Sequence, residues 1–112
     1  MLHRRAVLGL GLLAFIVSPL SVWAQDVFPI KPVRIVVPQT PGGASDALAR
    51  IMAQKLSEKW GQSVVVENRA GAGGNVGMEV VAQSAPDGYT LLMSYAGSHA
   101  INPALYKKLP FD

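Results

Sequence analysis

Three short runs of β-branched and apolar residues recur along the chain: Val33–Val37 (VRIVV), Ser63–Glu67 (SVVVE) and Tyr89–Tyr95 (YTLLMSY). Between them lie glycine-rich turns and segments of helical periodicity. This strand–helix–strand–helix–strand alternation constrains the fold more than any other feature. Adjacent parallel strands need a long crossover, usually a helix, and nearly continuous apolar strands belong to a sheet covered on both faces. With right-handed crossovers, the expected fold class is α/β: a parallel βαβαβ unit of strand order 2-1-3, the first strand central.

The segments between the strands fit that plan. Gln25–Pro32 reads as an extended lead-in. Pro38–Ala44 forms a loop, and Ser45-Asp46 supply oxygens suited to a helix N-cap. Along Ala47–Trp60, Leu48, Ile51, Met52 and Leu56 recur at 3–4 spacing, with Arg50, Lys55, Glu58 and Lys59 elsewhere. The spacing predicts an amphipathic helix closed by Gly61 as the C′ residue. Asn68–Asn75 (NRAGAGGN) is a glycine-dense loop. Val76–Ala85 is a second predicted helix, with Val76, Val80, Val81 and Ala82 toward the core, and Pro86 ends it. Asp87-Gly88 makes a tight turn. Ala96–Pro103 reads as a loop, followed by one helical turn over Ala104–Lys108. Trp60 and Tyr89 are expected at the core edge, and Glu67 and Arg69 as a solvated surface pair.

The first 24 residues are of another kind. His3-Arg4-Arg5 is a short cationic stretch, and Ala6–Val17 is an uninterrupted apolar run of twelve, too short to span a bilayer and typical of a signal peptide. Ser18-Pro19 breaks it, and Val22-Trp23-Ala24 offers a cleavage site. Residues 1–24 are therefore expected to be a cleaved signal peptide, the mature chain starting at Gln25 in the periplasm. An uncut anchor and twin-arginine export through Arg4-Arg5 are the alternatives. The 88 residues from 25 to 112 allow one small domain. The chain carries 10 basic and 7 acidic side chains. Without Arg4 and Arg5 the mature part has eight against seven, and these are scattered, so no nucleic-acid partner is expected. Lack of cysteine excludes disulfides, thiolate metal sites and a cysteine nucleophile. With only two histidines, one of them His3, a multi-histidine metal site is excluded, and no cofactor is expected.

In open α/β sheets ligands bind beyond the carboxyl ends of the strands. For order 2-1-3 the expected crevice lies between strands one and three, lined by Pro38–Asp46 and Ala96–Asn102. The candidate ligand-binding residues are Gln39, Thr40, Pro41, Gly42, Gly43, Ala44, Ser45 and Asp46, with Ser98 and His99. Gly42-Gly43 lets the backbone approach a ligand, and the first-turn N–H groups of the following helix lack internal acceptors. They suit an anion, and a carboxylate better than a phosphate because the loop has no Lys or Arg. Asp46 is expected to accept backbone N–H bonds and fix the loop. A glycine turn that binds nothing is the bland alternative.

Gly71–Gly77 departs from the dinucleotide fingerprint, with G-x-G-x-x-x-G spacing after the second strand and no acid about 20 residues on. Close packing of the second helix on the sheet is the preferred reading. A nucleotide-binding α/β enzyme using this loop is the alternative function. Ser98 and His99, with Asp46 or Asp87, suggest a hydrolytic triad, but no nucleophile elbow is present. These residues are better suited to hydrogen-bonding a ligand or capping a short helix, so no catalytic residue is assigned.

Several stretches resemble one family closely. Phe28-Pro29-x-Lys31-Pro32 through Val33–Pro38 and Pro41-Gly42-Gly43-Ala44-x-Asp46 open the pattern. Val64–Gly77 (VVVENRAGAGGNVG), Ala85–Leu91 (APDGYTL) and Ala100–Asp112 (AINPALYKKLPFD) complete it. Over Phe28–Asp112 the chain resembles the start of the Bug-type periplasmic receptors, the solute-binding component of tripartite tricarboxylate transporters. The resemblance implies a two-lobed Venus-flytrap protein, not an enzyme, that captures small organic carboxylates as a monomer and delivers them to membrane permease subunits. It implies that the ligand carboxylate is held largely by backbone groups and water, here from Gln39–Asp46. The family's usual aromatic or proline after Pro38 is replaced by Gln39-Thr40, and the Thr40 hydroxyl offers an extra donor. Family members run much further, so residues 25–112 are expected to be an incomplete N-terminal lobe, marginal or aggregation-prone alone.

Overall fold

The computed structural model describes residues 27–111. The signal-peptide and cleavage-site readings lie outside the described residues. Strands β1 (Val33–Val37), β2 (Val64–Asn68) and β3 (Thr90–Leu92) form one parallel sheet of order β2-β1-β3. Val33 to Val37 pair in step with Val64 to Asn68, and Arg34 to Val36 with Thr90 to Leu92. The parallel α/β architecture and the strand order agree with the sequence reading. β3 is shorter than the Tyr89–Tyr95 run, since pairing with β1 ends near the Met93 N–H bond to the Val36 carbonyl.

Helix α1 (Ala44–Trp60) crosses from β1 to β2, and α2 (Asn75–Ala82) from β2 to β3. α1 begins three residues before the expected Ala47. Its N-cap is Gly43, without a side-chain cap, rather than Ser45-Asp46. Asp46 instead stands in the first turn and reaches back to the Gly42 N–H, much as an acid does in a capping box. Gly61 closes the helix in the left-handed conformation, its N–H bonded to the Ser57 carbonyl. The Ser57 hydroxyl then receives the Val64 N–H that opens β2.

Strand residues alternate between faces. Ile35 and Val37 pack under α1 against Ala49 and Ala53, flanked by Val64, Val66, Leu91 and Met93. The larger apolar residues of α1 point elsewhere: Leu48, Ile51 and Met52 are 56%, 59% and 47% exposed. Alanines bring helix and sheet close, which leaves the bulkier stripe on the outer side. A similar correction applies to α2. It spans Asn75–Ala82, short of the expected Ala85, and buries Asn75, Gly77 and Met78, while Val76 and Ala82 are exposed. Gly77 explains this packing. A Cβ there would sit 2.7 Å from Pro38 Cα and 2.9 Å from the Arg69 carbonyl, so the helix lies against the end of β1 on its smallest residue.

Two further corrections concern turns. Ala72–Gly74 is a 3-10 turn leading into α2. The expected loop Ala96–Pro103 is instead helical. Gly97–Ile101 forms a π-helical turn that runs into α3 (Asn102–Leu105), earlier than the expected Ala104–Lys108. At the opposite end of the sheet, Phe28 packs edge-on against Trp60 at 5.7 Å and against Tyr89 at 4.9 Å. The Ile30 N–H donates to the Tyr89 hydroxyl, which ties the lead-in to the sheet.

Candidate functional site

Beyond the carboxyl ends of β1 and β2 lies a hollow of about 400 Å3. Its walls are Pro38, Gln39, Thr40, Gly43, Ala44 and Ser45 on one side, and Gly71, Gly73, Gly74 and Tyr95 on the other. The first wall is the sequence-predicted loop together with the start of α1. N–H groups in that first turn have no intrahelical acceptor, and the helix dipole makes their surroundings favourable to negative charge. No lysine or arginine lines the hollow. Such an arrangement can favour an anion through backbone dipoles and not through side-chain charge.

The loop has its own fastening. Asp46 is buried behind it. One carboxylate oxygen accepts from the Gly42 N–H at 2.9 Å and from Arg50 Nε at 3.1 Å. The other accepts from Asn68 Nδ2 at 3.1 Å, and the same Nδ2 donates to the Gln39 carbonyl. Arg50 also donates to Asn68 Oδ1. The hydrogen bonds from Arg50 and from the Gly42 N–H pull the Asp46 carboxyl down to a pKa of about 2, against the opposing effect of burial. Asp46 thus holds the loop's shape and does not line the hollow. Asn68, at the end of β2, joins both loop and acid. The sequence marks it only as the start of a glycine-rich stretch.

Of the sequence-predicted residues, Gln39, Thr40, Gly43, Ala44 and Ser45 line the hollow, Gly42 and Asp46 brace it, and Pro41 does not line it. Ser98 and His99 are not brought to it. They border a second hollow of about 470 Å3 beside α3, with Met78, Pro103, Tyr106, Lys107, Leu109 and Phe111. Gly71, Gly73, Gly74 and Tyr95 were missed as lining residues. The signal for the glycines was topological: β2 neighbours β1, so the loop after β2 borders the same strand end as the loop after β1.

The triad is not assembled. Ser98 Oγ is buried with no hydrogen-bond partner among the described residues. Asp46 is engaged as above, and Asp87 accepts from the Tyr89 N–H and faces Lys31 at 3.9 Å. Gly77 packs on Pro38, the close approach of helix to sheet that the sequence reading preferred for this glycine. Among the described residues, no group of three or more His, Cys, Asp or Glu is placed to hold a metal ion. No described helix is long and apolar enough to cross a membrane. On the α2 face of the sheet, Glu67 pairs with Arg69 and, at 3.0 Å, with Arg34 of the central strand. Hydrogen bonding from Arg69 and the positive charges of Arg34 and Arg69 lower its pKa.

The profile of a family described as tripartite tricarboxylate transporter family receptor matches residues 48–112. Protein BugT of Bordetella pertussis (strain Tohama I) is 43% identical over 108 residues, which cover 95% of this chain and 32% of that protein. The structure of R. palustris Rpa4515 with adipate is 44% identical, with a TM-score of 0.73 over 76% of this chain and 28% of that one. The structure of MatC (Rpa3494) from Rhodopseudomonas palustris with bound malate is 39% identical, with a TM-score of 0.70 over 75% and 29% of the two chains. The chain spans about a third of the length of the curated relatives it matches.

Proposed function

The chain belongs to the tripartite tricarboxylate transporter receptor family, and from that premise we propose that it serves as a solute receptor for small organic carboxylates. The observation that carries this reading is the hollow between the loops after β1 and β2, walled by backbone groups and the start of α1. One carboxylate of the ligand sits against the N–H groups of Gly43, Ala44 and Ser45. Thr40 offers a hydroxyl group at the rim. Adipate and malate, seen with two structural neighbours, exemplify the ligand class. The receptor acts in the periplasm after removal of residues 1–24, as a monomer, and hands its ligand to membrane permease subunits. It performs no chemistry on the ligand.

The experiment is a calorimetric titration of the chain with adipate and malate, with the neutral diamide of adipate as control. Saturable binding of at least one diacid and none of the diamide is expected. Ala44→Pro sharpens the test. Proline is tolerated at the first helical position and removes only an N–H that the helix does not use. Gly43 already holds φ −83° and ψ 175°, an extended geometry that suits the residue before proline. The variant is expected to keep the fold and to bind the diacid about tenfold more weakly, as for the loss of one hydrogen bond to a charged group. Equal binding of acid and diamide, or no binding of either diacid, would overturn the reading.

A further inference from the structure

The second wall of the hollow is a costly piece of backbone. Gly71, Ala72, Gly73 and Gly74 all have positive φ, at 136°, 47°, 65° and 97°, and Ala72 does so with a side chain. Within the run, the Gly74 N–H bonds the Gly71 carbonyl at 2.9 Å. Such a conformation persists only when its surroundings hold it. The hold converges on one atom, the Gly73 carbonyl oxygen, which accepts from Asn102 Nδ2 at 2.9 Å and from the Tyr95 hydroxyl at 3.0 Å. Asn102 Nδ2 also donates to Asn75 Oδ1 at 2.8 Å, so it serves both the turn and the first residue of α2. Asn102 and Asn75 are 5% and 6% exposed. Water cannot readily replace these bonds, and an unpaired amide there is penalised. Asn102 is delivered by the π-helical turn Gly97–Ile101, a rare geometry that often marks functional sites.

We propose that Asn102 is a positioning residue for the hollow: its buried amide fixes the Gly71–Gly74 wall and thereby sets the affinity for the carboxylate. This rests on the carboxylate reading above. Asn102 does not line the hollow and acts through the turn.

The test uses the full chain, its Asn102→Ala variant and its Tyr95→Phe variant, with residue-resolved amide hydrogen exchange and adipate titration. In Asn102→Ala, exchange of the Gly74 amide is expected to rise about tenfold or more, for the loss of one buried hydrogen bond. Exchange within β1 should not change, and adipate affinity should fall by a similar factor. Tyr95→Phe removes the other donor to the same carbonyl. It should act in the same direction, and the double variant should fall short of the product of the two effects. If Asn102→Ala does not fold, Asn102→Asp, which keeps the shape and replaces the donor by an acceptor, decides by the same two readouts. An unchanged Gly74 amide, an equal rise at Gly74 and in β1, or unaltered adipate affinity with a loosened turn would each overturn the proposal. Failure of the unsubstituted chain to bind adipate or malate would instead remove the carboxylate reading, and the exchange data would still decide whether Asn102 holds the wall.

Discussion

Gly77 has no room for even a methyl group, since the backbone of Pro38 and Arg69 occupies the space on its inner side. Backbone cannot swing aside as a long side chain can, so Gly77→Ala must push α2 away from the end of β1. A loss of about 1–3 kcal/mol is expected by analogy with overpacked cores, read as a lower urea midpoint. Gly43 meets nothing within 4 Å and holds an ordinary φ of −83°, so Gly43→Ala should change the midpoint little. Asp46 gives a signed pH prediction. Its carboxyl is lowered from 3.8 to about 2, so the charged form is favoured by folding. That contribution is complete above about pH 4 and is lost as pH falls through about 2. Between those limits the unsubstituted chain should lose stability more steeply than Asp46→Asn, and the two urea-midpoint curves should converge at the acid end. Parallel curves would contradict the assignment. The sequence made Asp46 legible as a loop-fixing acid because of its place after Gly42-Gly43. Its partner Asn68, 22 residues on, was not legible, because only folding brings the end of β2 beside the first turn of α1.

For elements, α1 shows where periodicity misleads. Leu48, Ile51, Met52 and Leu56 form the stripe that hydropathy picks out, yet Ala49 and Ala53 are the residues that meet the sheet. A hydrophobicity pattern gives alanine little weight, whereas close approach of a helix to a sheet favours it. Ala49→Leu should therefore cost about 1–3 kcal/mol, and Ile51→Lys should stay within about 0.5 kcal/mol as an exposed substitution. Thermal melts of the two variants check this, and the reverse order would show that the helix is turned. The existence and order of the strands were legible, since β-branched runs between glycine turns admit few other readings, but β2 spans Val64–Asn68 in place of Ser63–Glu67 and β3 only Thr90–Leu92. The helical turn over Gly97–Ile101 was not legible. It contains Gly97 and precedes Pro103, both loop signals, and is held instead by long-range bonds from Asn102 to Gly73 and Asn75.

At the scale of the whole molecule, the order β2-β1-β3 followed from the alternation of elements, and the family followed from long motifs that span most of the described chain. That order also places the loop after β2 beside the loop after β1, where Gly71, Gly73 and Gly74 join Tyr95 in the second wall, while Ser98 and His99 border the other hollow. Leu48, Ile51 and Met52 on α1, and Val65 on β2 at 53% exposure, leave apolar surface open. An apolar-sensitive fluorescent dye is thus expected to bind the folded chain, and Ile51→Lys should reduce its signal without shifting the melt. The proposed function places a carboxylate against backbone groups at the carboxyl ends of β1 and β2. Its most direct test is an amide chemical-shift map of the isotope-labelled chain titrated with adipate. The amides of Gly43, Ala44, Ser45, Gly71, Gly73 and Gly74 should move together and saturate at one concentration, while those of His99 and Lys107 remain still. Shifts centred on Met78, His99 and Lys107, or no saturable shifts at all, would contradict it.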